Sequence, residues 1–144
     1  MTDDELQAFL EEGRTLQVAS INRDGTPHLV AMFYALLNGK IAFWTYGKSQ
    51  KILNLQRDPR ITCMVETGLQ YNELRGASIS GTVTLVDDLE TKQHFGEVLF
   101  ARYWGEVNDA VRGGVSAQAP KRMIVVVEPE KIVSWDHNKL GGTY

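Results

Sequence analysis

The chain has 144 residues, enough for one domain with a proper core and too few for two. Its 15 Lys and Arg against 18 Asp and Glu give a formal net charge of −3, which argues against nucleic acid or an anionic membrane as a partner and makes any anion site local. A lone cysteine, Cys63, excludes an intramolecular disulfide and a cysteine-built zinc site; an acidic start at Thr2-Asp3-Asp4-Glu5 and no apolar run near ~20 residues point to a soluble, cytoplasmic protein.

Thr2 and Glu5 stand in capping-box spacing ahead of Leu6, Phe9 and Leu10, which share a helical face, so a short helix is expected to end near Gly13. Thr15 to Asn22, Pro27 to Leu37 and Lys40 to Thr45 read as strands joined at Asp24-Gly25 and Asn38-Gly39, which suit tight hairpins. Together they predict a three-stranded antiparallel meander. Lys48 to Gln56 changes to a helical period, with Ile52 and Leu55 one step apart and Ser49 placed as a cap. Asp58-Pro59 stops that helix, Arg60 to Glu66 resumes as a strand, and a loop follows over residues 67–72.

Leu74 to Val86 alternates regularly, Ala77, Ile79, Gly81, Val83 and Leu85 facing one way and the intervening Ser and Thr residues the other. Asp88 to Trp104 supports the one long helix, with Phe95, Val98, Leu99 and Tyr103 on a buried stripe and Gly105 at its end. Gly113 to Pro120, rich in small residues, predicts an exposed loop; Lys121 to Glu128 predicts a central strand and Lys131 to Trp135, after Pro129, the last one. The tail from Asp136, with Gly141-Gly142, shows no regular pattern. Six or seven strands, one short inserted helix and one longer helix describe a mainly β, antiparallel barrel over residues 1–144 as one domain. No Gly-rich strand-to-helix turn supports a doubly wound nucleotide fold.

Lys48-Ser49-Gln50-Lys51 sets two cations and a hydroxyl at a helix start, where free N–H groups and the helix dipole favour a phosphate. The alternative is a solvated lysine pair beside an ordinary cap. Phe43, Trp44 and Tyr46 either shield a planar ring or pack a core or interface. His28, His94 and His137 share no metal-ligand spacing, and no metal site is expected. Ser78 and Ser80 have no base nearby in sequence, and Cys63 lies in an apolar strand where burial keeps a thiol inert. Arg57 and Arg60 either pair with Asp58 or form a basic rim. No nucleophile elbow, Walker loop or metalloprotease helix appears, and catalytic residues stay unassigned. A chain without acid–base machinery fits chemistry supplied by a redox cofactor.

Phe43-Trp44-Thr45, Ser49-Gln50-Lys51, Asn54-Leu55 and Asp58-Pro59-Arg60-Ile61, followed by the strand from Gly76 to Gly81, resemble the pyridoxamine 5′-phosphate oxidase-like, FMN-binding split-barrel superfamily. Val133-Ser134-Trp135-Asp136-His137 and Lys139-Leu140-Gly141-Gly142 resemble its actinobacterial coenzyme F420-dependent branch. The resemblance implies a homodimer with two cofactor sites at its interface. Leu29, Val30, Ala31 and Met32 would run beside the ring and Trp44 and Thr45 would contact its middle. Ser49, Gln50 and Lys51, with Lys48, would hold the phosphate, and Trp135 of the partner subunit would close the site. Gln50 stands where relatives carry arginine, losing a bidentate phosphate fork for which Lys48 compensates. The C-terminal arginines of a vitamin B6 oxidase have no counterpart here. The implied activity is hydride transfer from reduced coenzyme F420 to a small planar or conjugated acceptor. The alternatives are an FMN-dependent reductase or oxidase and a non-catalytic flavin- or haem-binding module.

Overall fold

The computed structural model describes residues 1–141. Helix α1 (Asp3–Glu12) starts in the expected capping box, the Thr2 hydroxyl accepting from the Glu5 N–H and the Glu5 carboxylate from the Thr2 N–H, and buries Phe9 and Leu10. Strands β1 (Leu16–Ile21), β2 (Pro27–Met32), β3 (Ala35–Leu37), β4 (Lys40–Tyr46), β5 (Arg60–Thr67), β6 (Arg75–Val86) and β7 (Arg122–Asp136) form a 7-stranded antiparallel sheet ordered β2-β1-β5-β6-β7-β4-β3. Helix α2 (Gln50–Arg57) lies between β4 and β5, and α3 (Leu89–Trp104) and α4 (Asp109–Gln118) lie between β6 and β7. The sheet curls into the half-barrel of a split-barrel fold.

Two apolar clusters follow from strand alternation. Leu16, Val18, Phe43, Ile79 and Val125 point into the barrel, where Phe9 and Leu55 join them. Ala42 and Ile124 project from the other face and pack under Phe95 and Leu99 of α3, with Trp44 against the same cluster. The outer face of β4 is therefore the one roofed by helices. Cys63 is buried in the barrel core, which pushes its thiol up to about 12 and leaves it protonated and inert.

Three expectations are corrected. The segment 27–37 is not one strand, and the meander does not form: β2 and β3 occupy opposite edges of the sheet. The break falls at Phe33-Tyr34, because Tyr34 leaves the ladder to become fully buried. Its hydroxyl donates to the Leu10 carbonyl at 2.5 Å and its N–H donates to the Tyr103 hydroxyl at 3.0 Å. Residues 113–118 are the second half of α4 rather than a loop. Two glycines cost a helix about 1 kcal/mol each relative to alanine, but the Asn108 side chain caps the N-terminus and buried Val115 holds the helix against α3. Finally, Pro129 does not divide the last two strands. β7 runs 15 residues through it, because the register shifts at Ser80/Gly81 and the missing proline N–H falls in that irregularity.

Gly81 is required at that shift, since a side chain there would overlap the Glu128 carbonyl. Gly81→Ala is expected to destabilise the fold by about 2 kcal/mol, through forced backbone displacement. Urea unfolding checks this, and an unchanged midpoint would contradict it.

Candidate functional site

Helix α2 is locked to the end of β1 by a buried asparagine. The Asn54 amide donates to Ser20 Oγ at 3.1 Å and Asn22 Oδ1 at 3.0 Å, while its oxygen accepts from Gln50 Nε2 at 2.8 Å and Arg57 Nη2 at 3.3 Å. Arg57 also donates to the Ile21 carbonyl. Gln50 is thus turned along its own helix toward Asn54.

The start of α2 differs from that of the other helices. Thr2, Asp88 and Asn108 cap α1, α3 and α4 with their side chains, and each first turn carries an acid. Ser49 occupies the cap position of α2 but makes no capping bond, and the first turn has no acid. Its hydroxyl is buried without a hydrogen-bond partner among the described residues. An uncapped N-terminus with an orphaned hydroxyl leaves the helix dipole open to an anion.

A second cation comes from the far end of the sequence. Arg122 opens β7 opposite Tyr46, and its guanidinium lies 6.0 Å from the centre of the Trp44 ring and 3.3 Å from Gln118 Oε1. Burial, and then the positive charge of Arg122, hold the Lys51 ammonium below its usual range. Among the described residues no carboxylate forms an ion pair with Lys48, Lys51 or Arg122. Two partly desolvated cations without a counter-charge are costly, and an anion between them removes that cost. The sequence does not advertise Arg122 as part of this site, because only the pairing of β4 with β7 brings it beside α2.

Next to this cationic corner is a cavity of about 620 Å³ with Trp44, Ala31 and Met32 on one wall and Gly96, Leu99 and Val115 on the helical side. Trp44 reaches α3 because residue 96 is glycine: a Cβ there would stand 2.5 Å from Trp44 Cη2. Gln118 also lines the cavity while bonding Arg122, so the apolar space opens onto the cations.

The structure thus brings together Ser49, Lys51, Trp44, Ala31 and Met32. Lys48 is exposed beside them in the turn before α2. Val30 packs against the barrel core and Thr45, 5 % exposed, is buried in the strand beside Trp44. Leu29 is 69 % exposed on the outer edge strand. Trp135 covers Gly76 near the opposite end of β7, on the order of 40 Å along the strand from Arg122 at about 3.3 Å per residue. Arg60 is paired with Asp58 at 2.8 Å and Lys139 with Glu5 at 2.7 Å, so neither adds a free charge. Gly142, singled out in the sequence, lies outside the described residues.

The chain has relatives in sequence and fold. The chain is 38% identical to the conserved hypothetical protein Rv2991 from Mycobacterium tuberculosis, covering 100% of this chain and 90% of that one with a TM-score of 0.95. A protein described as an F420 reductase shares 26% identity, with 88% and 94% of the two chains covered and a TM-score of 0.71. The fold is also that of HutZ, described as a haem storage protein from Vibrio cholerae, at 18% identity, 91% and 92% coverage and a TM-score of 0.70. No curated protein matches the sequence significantly. The family model for pyridoxamine 5′-phosphate oxidase matches residues 2–136, nearly the whole chain. The chain therefore belongs to the pyridoxamine 5′-phosphate oxidase family, in its split-barrel superfamily.

Proposed function

We propose that this protein is an oxidoreductase that binds reduced coenzyme F420 and directs its hydride to a small planar or conjugated acceptor. The observation that carries the reading is the carboxylate-free pair Lys51 and Arg122 beside the orphaned Ser49 hydroxyl, opening onto an apolar cavity floored by Trp44. Those groups fit a phosphate joined to a flat ring: Ser49 and the α2 N–H groups donate to its oxygens, and Lys51, Arg122 and Lys48 neutralise it. Trp44, Ala31 and Met32 take the ring and exclude water from it, which leaves the hydride chemistry to the cofactor. The likeness to an F420 reductase favours the deazaflavin.

FMN is the second reading, and one observation favours it. Arg57 and Arg60, candidates for a basic rim to receive an acidic tail, are engaged by the Ile21 carbonyl and by Asp58. The test mixes reduced F420 and reduced FMN separately with the protein and menadione under air-free conditions. Return of the oxidised F420 spectrum faster than in protein-free controls supports the first reading. Turnover with FMN alone transfers the activity to the second, and turnover with neither removes both.

The working unit in this reading is a cytoplasmic homodimer of single-domain chains. Leu29, Ile132 and Val133 are 69 %, 44 % and 50 % exposed, apolar area that a second copy would cover. Trp135, remote from its own chain's cavity, then serves the site of the partner.

The pH dependence of binding follows from Lys51. Its ammonium loses its proton below the ordinary 10.5 because of burial and Arg122, and the phosphate needs the protonated form. Affinity is expected to stay flat near neutrality and to fall as pH rises through that lowered value. Calorimetric titration of the wild type and Lys51→Ala checks the sign: the variant should lose the fall, and an identical profile in both would contradict the assignment.

A further inference from the structure

The cavity has more room, and more aromatic wall, than a single ring held over Trp44 requires. Ligand pockets begin at about 300 Å³, and this one measures about 620 Å³. Besides Trp44, Ala31 and Met32, it is lined by Phe33, Phe100 and Trp104, and Phe33 and Trp104 are 50 % and 61 % exposed. Aromatic area left in water this way adds little to the core.

These rings are fixed in place before any ligand arrives. Phe33 stacks on Tyr103 with centroids 4.0 Å apart. Trp104 meets Phe33 nearly edge-on, at 5.6 Å and 77°, and stacks beside Phe100 at 5.2 Å. Tyr103 is itself anchored: its hydroxyl donates to the Arg14 carbonyl at 2.7 Å and accepts from the Tyr34 N–H at 3.0 Å, and the Arg14 guanidinium lies 4.6 Å from its ring centre. Two aromatic planes held close to a right angle offer a flat molecule one face and one edge, with little ordering cost on binding.

We infer that Phe33, Phe100 and Trp104 form a second ring-binding subsite of this cavity, one that takes an uncharged planar aromatic molecule beside the ring held over Trp44. The inference rests on the reading that the cavity holds a flavin or deazaflavin ring, and it gives the chemical class of the acceptor. No lining residue is charged, and the polar ones are Thr15 and Gln118. A charged ring would lose its hydration there without gaining a partner. The cations that attract the phosphate stand at the Gln118 end, so phosphate and acceptor are sorted by the polarity of the wall.

The test titrates protein saturated with FMN, which fills the phosphate position and the place over Trp44, with 2-naphthol and naphthalene-2-sulfonate in a calorimeter. The neutral ring is expected to bind about tenfold more tightly than the sulfonate. Trp104→Ala should weaken 2-naphthol about tenfold and Trp104→Phe should restore most of it, given the worth of one stacking contact. FMN affinity should stay within about twofold in both variants, since the phosphate sets it. Equal binding of the sulfonate, or no effect of Trp104→Ala, overturns the inference. So does a Trp104→Ala chain that loses self-association while keeping its 2-naphthol affinity, which would make the corner a protein interface. A Lys51→Ala variant that keeps full FMN affinity would overturn the cofactor reading and leave the 2-naphthol result standing, so the two failures are distinguishable.

Discussion

Replacing both Lys51 and Arg122 with alanine is expected to weaken FMN or coenzyme F420 binding roughly 100-fold or more, since each removes a charge-assisted phosphate contact. Riboflavin, the same ring without phosphate, should change by no more than about twofold, because its contacts lie with Trp44 and the apolar wall. The two cations share one anion, so the single variants should not add independently. Stability should rise or stay level, because the double change removes two partly desolvated like charges that meet no carboxylate among the described residues. Parallel titrations of the two ligands check this, and equal losses for FMN and riboflavin would show that the cations act on the fold rather than on the phosphate.

Asn54→Ala should have the largest effect on stability of any change near the site, about 3 kcal/mol. It removes a fully buried amide, leaves the buried Ser20 hydroxyl without its partner and breaks the bonds to Asn22, Gln50 and Arg57, and a buried polar group left unpaired costs about 1–3 kcal/mol. The effect reaches the site because Asn54 ties α2 to β1, and the first turn of α2 carries Lys51 beside the Ser49 cap. The folded variant should therefore bind FMN at least about tenfold more weakly while its riboflavin affinity holds. Chemical unfolding and paired titrations measure the two effects, and a stability loss without any change in the FMN-to-riboflavin ratio would reduce Asn54 to a structural role.

Local signals carried much of this fold. Asn38 and Gly39 take the positive φ angles, 52° and 79°, of the turn between β3 and β4. The capping box at Thr2, the alternation of β6 and the long period of α3 also lie where their residue patterns put them. What the sequence hid was decided at long range. Tyr34 reads as one more apolar strand residue until Leu10 and Tyr103, far off in the chain, draw it out of the ladder. Gly113 and Gly114 read as a loop because helix propensity is local, whereas the anchoring of Val115 is tertiary.

The site was legible in the same proportion. Lys48 to Lys51 offers a candidate anion position in the sequence because a helix start is a local property. Arg122 joins only through the register Tyr46 to Arg122, and the Phe33, Phe100 and Trp104 corner only because α3 folds over the outer face of β4. Arg57 and Arg60 divide the same way: Arg60 pairs with Asp58, one of the two readings the local sequence offers, whereas the bond from Arg57 to the Ile21 carbonyl depends on the packing of α2 against β1.

The most direct test of the whole account is a crystal structure of the protein soaked with coenzyme F420. The phosphate should lie within hydrogen-bond distance of Ser49 Oγ, Lys51 Nζ and the Arg122 guanidinium, with the ring in the cavity beside Trp44. A phosphate bound elsewhere, or a ring lying outside that cavity, would contradict the assignment of the site.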